Sequence, residues 1–469
     1  MGVTALKFVS TRGDAPALDL DEVTLAGLAR DGGLYVPAEW PLFSADQIAA
    51  MAGLSYADLA VAVMTPFVAD TIAPQDFKRL VGDAYGHFDH RAVTPLRQSG
   101  PDEWVLELFH GPTLAFKDCA LQLLGPLFDH LLQRDKARVT IVGATSGDTG
   151  SAAIEACRDR DALDIFILYP HGRVSEIQRR QMTTVPSSNV HCLAVEGTFD
   201  DCQALVKGMF DDAAFRDRHK LAAVNSINWT RIMAQVVYYF HAALALGAPQ
   251  RSVAFSVPTG NFGDIFAGYV AAQMGLPVAS LCIATNRNDI LARFMANGDY
   301  QVHDVMPTAS PSMDIQVSSN FERLLFDLMG RDGTAVAGLM RDLKTTGHFS
   351  VSENVLAQAR GLFRAGTVDE PGTLAVIAEE WQRTGVLVDP HTAVGIGAGR
   401  AGRSAGVPLV HLATAHPAKF PDAVEKATGV RPPLPDRLAD LTTRDERFDV
   451  VTNDLATVQA VVADRARAA

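Results

Sequence analysis

From about residue 138 the chain alternates short runs rich in β-branched and aromatic residues with stretches of helical spacing. This rhythm constrains the fold more than any other feature. RVTIVG, LDIFILYP and NVHCLAVEG read as strands, and SAAIEACR, VSEIQRRQM and DCQALVKGMF read as the helices that follow them. Parallel strands cannot be joined by a tight hairpin, so a helix must carry the chain back across the sheet. The alternation therefore predicts βαβ units around a parallel sheet, with right-handed crossovers. The rhythm returns in RSVAFSVP and the helical DIFAGYVAAQM, in VASLCIATN, and near the C-terminus in PLVHLAT. The expected class is α/β.

At 469 residues the chain exceeds the size at which one hydrophobic core stops growing, so two or more packed units are expected. Residues 1–95 carry helical patterns, SADQIAAMAGL with Ser44 as its N-cap and YADLAVAVMTPFV, and a tight turn feeding a short strand in DGGLYVP. Between 286 and 350, polar stretches such as PTASPSMDIQVSSN find no place on the sheet and read as an insertion or a mobile loop. After Phe420 the proline-rich VRPPLPDRL reads as a connector or C-terminal arm.

Charge and cysteine usage narrow the class of partner. A net charge of -13 with no Lys/Arg run argues against a broad nucleic-acid surface, so an anionic ligand must be met by local donors. Five scattered cysteines, without a CxxC pair or zinc-type spacing, read as reduced core residues and give no metal site. The opening residues lack a signal-peptide pattern, and no window approaches twenty uninterrupted apolar residues. A cytoplasmic protein without membrane contact is expected.

In open α/β sheets ligands lie beyond the carboxyl ends of strands, which directs attention to three loops. GATSGDTG (Gly143–Gly150) joins a strand to a helix and offers the hydroxyls of Thr145, Ser146 and Thr149 at a helix N-terminus, where an anion is favoured. PTGNFGD (Pro258–Asp264) repeats the arrangement, with two glycines that let backbone amides converge on a phosphate. Neither has the Lys-Ser/Thr ending of a Walker loop, which argues against a nucleotide triphosphatase. Taken alone, each is as readily a tight connection as a binding loop. The third, ATAHP, carries Thr414, which on residues alone reads as closing a turn. Judged by its neighbours in FHGPTLAFKD, Lys117 reads as a solvated lysine like most others. His110, His391 and His416 stand beside Pro or Gly turns and read as structural.

Together and in order, HGPTLAFKD, GATSGDTGSAA, PTGNFGD and ATAHPAKF closely resemble the motifs of threonine synthases, pyridoxal-phosphate enzymes of fold type II. STRG (Ser10–Gly13), DGGLYVP, NSINWTRI, PSMDIQVSSNFERLLF and DPHTAVG extend the resemblance over nearly the whole chain. The long N-terminal region and the SGDTG wording are similar to the proteobacterial and fungal type.

The resemblance implies a tryptophan-synthase-β-like architecture of two parallel-type sheet domains with an N-terminal extension. Its expected parts are an N-terminal domain at 1–95, a large cofactor-binding domain at 96–120 and 235–430, a small substrate-closing domain at 121–234, and a C-terminal arm at 431–469. It also implies that Lys117 carries pyridoxal 5'-phosphate as a Schiff base, that Gly260, Asn261, Phe262 and Gly263 cradle the cofactor's phosphate, and that the Thr414 hydroxyl faces the pyridine nitrogen. Asp148 stands where fold type II relatives often have Asn beside the ring oxygen, a departure that leaves it a candidate for cofactor contact. Ser146, Thr149 and Asn225 are the candidates for the substrate's phosphate. The implied reaction turns O-phospho-L-homoserine and water into L-threonine and phosphate by γ-elimination and β-addition, the last step of threonine biosynthesis, in a monomer or weak homodimer. A related phospho-lyase or dehydratase giving a keto acid, and a non-catalytic regulatory homologue, are the alternatives.

Overall fold

The computed structural model describes residues 6–69, 71–145, 147–223 and 226–467. By contacts the chain forms two compact units. One is built from Met1–Val23, Leu28–Phe116 and Ser226–Pro433, the other from Thr24–Gly27, Lys117–Asn225 and Leu434–Ala469.

The first unit holds a six-stranded sheet in the order Phe363–Thr367, Val278–Thr285, Val253–Pro258, Leu409–Ala413, Glu103–Glu107, Leu96–Gly100. Every neighbouring pair is parallel except the last, Leu96–Gly100 against Glu103–Glu107. The strands Val253–Pro258 and Leu409–Ala413 are buried at every residue, as continuous apolar runs in a sheet covered on both faces must be. The expected strands and the helix after PTGNFGD are thus present, the latter as Gly263–Gln273.

The N-terminal residues belong to this unit. Tyr35–Pro37, from DGGLYVP, pairs antiparallel with Phe8–Ser10. Ser44 caps the helix Ala45–Ala50 in a capping box with Gln47. Thr11 donates to Glu322 at 2.6 Å, and Arg12 reaches the same carboxylate with two bonds of 3.0 Å.

Residues 286–350 lie off the sheet, as expected, and include a loop at 302–320, around PTASPSMDIQVSSN, with one 3-10 turn at Pro311–Met313. They also form the helices Ile290–Asn297, Phe321–Leu328 and Gly333–Thr346. The polar residues between them satisfy one another: Asp314 Oδ1 accepts from Asn286 at 2.8 Å, Asn288 at 3.0 Å and Thr308 at 2.7 Å. Side-chain pairing of this kind has no periodicity, which is why the polar stretch PTASPSMDIQVSSN finds no place on the sheet in the sequence.

The second unit is a five-stranded, wholly parallel sheet in the order Asp449–Thr452, Val190–Glu196, Leu163–Pro170, Val139–Ala144, Leu221–Ala222. One face packs Ile141, Ile165 and Ile167 against Leu124, Phe128 and Ile154. The other packs Val142, Phe166 and Leu168 against Met209, Val458 and Val462. The stretch expected as a C-terminal arm therefore supplies an edge strand and the helix Leu455–Arg465 to this unit. Arg179 and Glu446 join it to the body through bonds of 2.8 and 3.0 Å. All five cysteines are free and buried. Among the described residues no helix is long and apolar enough to cross a membrane.

Candidate active site

In the second unit, Lys117 is the N-cap residue of the helix Asp118–Arg134 and is only 8% exposed. A buried ammonium is costly unless an anion and hydrogen bonds meet it. Here the partner is Asp148, whose Oδ2 lies 3.4 Å from Lys117 Nζ. Asp148 opens the helix Asp148–Cys157, where the N-terminal end of the helix dipole favours a carboxylate. Its Oδ1 accepts from Gln178 Nε2 at 2.8 Å, and Gln178 Oε1 accepts in turn from Ser175 at 2.9 Å. Gly147 makes that approach possible: it has φ 150, and a Cβ there would stand 2.5 Å from the Gln178 carboxamide. Gln178 and Ser175 carried no signal in the sequence beyond their place in the helical run VSEIQRRQM.

The same loop corrects one expectation. The Thr145 hydroxyl, read as a donor for an anion, is used within the loop, accepting from Gly147 N at 3.0 Å and Gly150 N at 2.9 Å. A buried threonine so placed holds the loop's shape. Thr149 is half-buried in the first helical turn. Ser146 and Asn225 lie outside the described residues.

In the first unit, the turn 259–262 joins the strand Val253–Pro258 to the helix Gly263–Gln273. Phe262 takes the left-handed conformation, φ 64, and its ring packs edge-on against Phe321 at 5.1 Å between centroids. A non-glycine residue in this region is held there by its surroundings. The carbonyls of Gly260 and Asn261 are drawn into the segment 318–320. Ser318 donates to Gly260 O, and Asn320 donates to Asn261 O from its backbone N at 3.0 Å and from Nδ2 at 2.9 Å. In a trans peptide the N–H points opposite to the preceding C=O, so the amides of Asn261 and Phe262 face away from that segment. They and the first amides of the helix, which have no intrahelical partner, are the backbone donors that this turn leaves over. A Cβ on Gly260 would come within 2.6 Å of Ser312 O.

Asn320 is itself gripped by Arg323, which bonds Asn320 Oδ1, Tyr35 O at 3.0 Å and Ile227 O at 2.5 Å. Burial pushes the Arg323 guanidinium down to about 9, still a cation at neutral pH. Asn320 and Arg323 were missed as site residues, although both stand in the motif PSMDIQVSSNFERLLF.

Thr414 follows the neighbouring strand Leu409–Ala413 and is buried. Its carbonyl accepts from Phe116 N at 2.8 Å, and Ala415 bridges Ala115, so the run before Lys117 is zipped to this strand end. The three histidines are each held by neighbouring groups. His391 Nδ1 pairs with Asp389 at 2.7 Å while its Nε2 accepts from Ser312 N at 3.2 Å, His110 bonds Glu107 at 2.9 Å, and His416 accepts from Ala418 N at 3.2 Å.

Lys117 and Asp148 thus meet in the second unit, and the turn 260–263 and Thr414 stand at adjacent strand ends in the first. A buried amine in one unit, and in the other a turn with unspent backbone amides and a strand-end hydroxyl, are the chemical kinds of donor that a phosphorylated aldehyde cofactor takes, so the residues present fit pyridoxal phosphate.

Comparison with known proteins gives the same family along the chain. The model "Threonine synthase N terminus" matches residues 7–85, "Pyridoxal-phosphate dependent enzyme" matches 88–342, and "Threonine synthase, C-terminal" matches 392–462. The chain is 60% identical to a threonine synthase of Pseudomonas aeruginosa over 97% of its own length and 98% of that protein's. Among solved structures it is similar to a PLP-bound threonine synthase from Brucella melitensis, with TM-score 0.97 and 58% identity over 99% of this chain and 100% of that one. The threonine synthase from Escherichia coli superposes with TM-score 0.82 at 30% identity, over 98% of this chain and 99% of that one.

Proposed function

The chain belongs to the threonine synthase family of pyridoxal-phosphate-dependent lyases, and from that premise we propose that it acts on O-phospho-L-homoserine and water to give L-threonine and phosphate, with Lys117 as its catalytic residue. The observation that carries the assignment is the burial of Lys117 against Asp148, because a lysine held out of water on a carboxylate has a use other than solvation.

In this reading Lys117 holds the cofactor through its amine, Gly260, Asn261, Phe262 and Gly263 hold its phosphate, and Thr414 offers a hydroxyl to its ring nitrogen. Bound pyridoxal phosphate supplies the electron sink that lets protons leave carbon. The released Lys117 amine takes the proton from Cα and then one from Cβ as phosphate departs from Cγ. A proton returned to Cγ completes the methyl group, water then adds its oxygen at Cβ and gives up a proton, and a proton returned to Cα completes L-threonine. Asp148 keeps the free amine in place between these transfers, and Gln178 keeps Asp148 in place.

Ser146, Thr149 and Asn225 hold the substrate's phosphate with neutral donors, in keeping with the acidic composition of the chain. Alanine at Ser146 or Thr149 is expected to raise KM for O-phospho-L-homoserine with little change in the affinity for cofactor. An unchanged KM in both variants removes those residues from the substrate site. The free, buried cysteines support a reducing, cytoplasmic setting, and a monomer or weak homodimer is the assembly proposed.

A further inference from the structure

The second unit carries a cavity of about 290 Å3 at the end of its sheet where the strand Val139–Ala144 begins. A cavity of ~150 Å3 takes benzene, so this one has room for a small metabolite. Its polar wall is Arg138 at the start of that strand, Arg218 and His219 in the last turn of the helix Ala213–His219, and Arg467 just beyond the helix Leu455–Arg465. No carboxylate lines it among the described residues. Asp148 follows the other end of the same strand, so this cavity is no part of the site described above.

The cations around it are not equivalent. Arg467 is spent, because its Nε bonds the buried Asp164 at 2.6 Å and its Nη2 bonds the carbonyls of Arg160 at 3.1 Å and Leu163 at 2.5 Å. Arg138 and Arg218 have no hydrogen bond or ion pair among the described residues. Arg218 is exposed at a helix C-terminus, where positive charge complements the dipole, so water and the helix account for it by themselves. Nothing of the kind accounts for Arg138. It is half-buried, and its Nε and Nη2 are shut off from water without an acceptor. His219 Nε2 is in the same condition, and burial together with the neighbouring Arg218 holds that imidazole below its usual range, neutral at pH 7. Unmet buried donors cost the fold free energy. In a chain with 54 acidic against 41 basic residues, two unpaired guanidiniums at a cavity without a carboxylate mark a place kept for an anion.

We infer that this cavity binds a small dianion with two oxyanion groups, one for Arg138 and one for Arg218, and with His219 as a neutral partner. Phosphate and carboxylate both match the guanidinium fork, so either can supply the oxyanions. Part of the desolvation of Arg138 is already present in the fold, and an anion gains its pairing without that share of the cost. The inference does not depend on the reaction proposed above.

The test uses full-length holoenzyme in chloride buffer of fixed ionic strength, with inorganic pyrophosphate and succinate as probes titrated by isothermal calorimetry. Wild type should bind at one saturable site. Pyrophosphate alone marks a phosphate site, succinate alone a carboxylate site, and both a site that reads charge only. Arg138→Gln and Arg218→Gln should each raise the Kd roughly tenfold or more, the loss of a charge-assisted hydrogen bond. Arg216→Gln removes the same charge from the same helix, but Arg216 is paired with Asp217 at 2.9 Å and does not line the cavity, so its Kd should match wild type. Without probe, Arg138→Gln should melt at or above the wild-type Tm, and no variant should change kcat or KM for O-phospho-L-homoserine. Absence of saturable binding by either probe overturns the inference. So does wild-type affinity in both cavity variants, which places the anion elsewhere, or an equal loss in Arg216→Gln, which leaves only a diffuse positive field. An Arg138→Gln protein with lowered Tm and unchanged affinity makes Arg138 a structural residue and overturns it as well.

Discussion

Replacing Gly260 by alanine asks whether the turn 260–263 is a shaped receptor or an ordinary connection. The added Cβ would meet Ser312 O at 2.6 Å, Met313 Cα at 3.4 Å and Ile315 Cδ1 at 3.6 Å. The first contact falls short of ordinary van der Waals separation by roughly 0.8 Å, and the atom in the way is backbone. Neither side yields cheaply. Ser312 N is bonded to His391, which Asp389 holds, while the Gly260 carbonyl is bonded to Ser318. Overpacking of this kind costs about 1–3 kcal/mol, which at about 2–4 °C per kcal/mol lowers Tm by several degrees. Because the turn itself must move, the amides of Asn261 and Phe262 are displaced, and the affinity for pyridoxal phosphate should drop by roughly tenfold or more. Differential scanning fluorimetry of the cofactor-free protein and an absorbance titration with cofactor read the two effects. Gly338→Ala, half-buried in Gly333–Thr346 with no atom within 4 Å of the new Cβ, serves as control and should be neutral or mildly stabilising. A Gly260→Ala protein with wild-type Tm and wild-type cofactor affinity would refute the reasoning.

Two further outcomes follow from charge and burial. Burial would by itself raise the Glu103 carboxyl, but contacts from His411 at 3.2 Å and Arg400 at 2.7 Å outweigh it and hold the group at about 2 against an ordinary 4.5. The stability it gives, on the order of 3 kcal/mol, is therefore full above pH 4.5 and lost as pH falls toward 2. The Tm gap between wild type and Glu103→Gln should be open at pH 7 and narrow progressively below pH 4.5, and a gap independent of pH contradicts the pairing. Burial likewise pushes the thiols of Cys157 and Cys192 up to about 12 and those of Cys202 and Cys282 up to about 11. At pH 8 the native protein should leave these four unmodified by iodoacetamide until it is unfolded, and rapid labelling of the native chain, located by mass spectrometry, would show that the burial is misjudged.

The parallel sheets were legible in the sequence because buried strands such as LDIFILYP and AFSV are continuous β-branched and aromatic runs, and a parallel sheet leaves no other pattern. The Gly-rich turns were legible for a related reason, since a strand, a glycine turn and a helix in succession place amides at a helix start. What the sequence hid was interaction between residues far apart in it. Asn320 and Arg323 shape the 260–263 turn from some sixty residues away, and only their place in a family motif marked them. In the sequence Asp148 is a departure from the family pattern and a candidate for cofactor contact, and only the fold sets it beside Lys117; the Thr145 hydroxyl reads there as a donor for an anion, and only the fold gives it two loop amides to accept from. The strand Asp449–Thr452 escaped because it is four residues long at a sheet edge, too short to show a period of two.

The most direct test of the account joins one spectrum to one product analysis. Wild type and Lys117→Ala are purified with pyridoxal phosphate, their visible spectra recorded, and the products formed from O-phospho-L-homoserine identified. The account predicts a lysine-bound cofactor band in wild type that the variant loses, and L-threonine formed in equal amount to phosphate by wild type alone. Phosphate released together with a keto acid would contradict the proposed reaction while leaving the cofactor assignment intact, and an unaltered spectrum in Lys117→Ala would remove Lys117 from its centre.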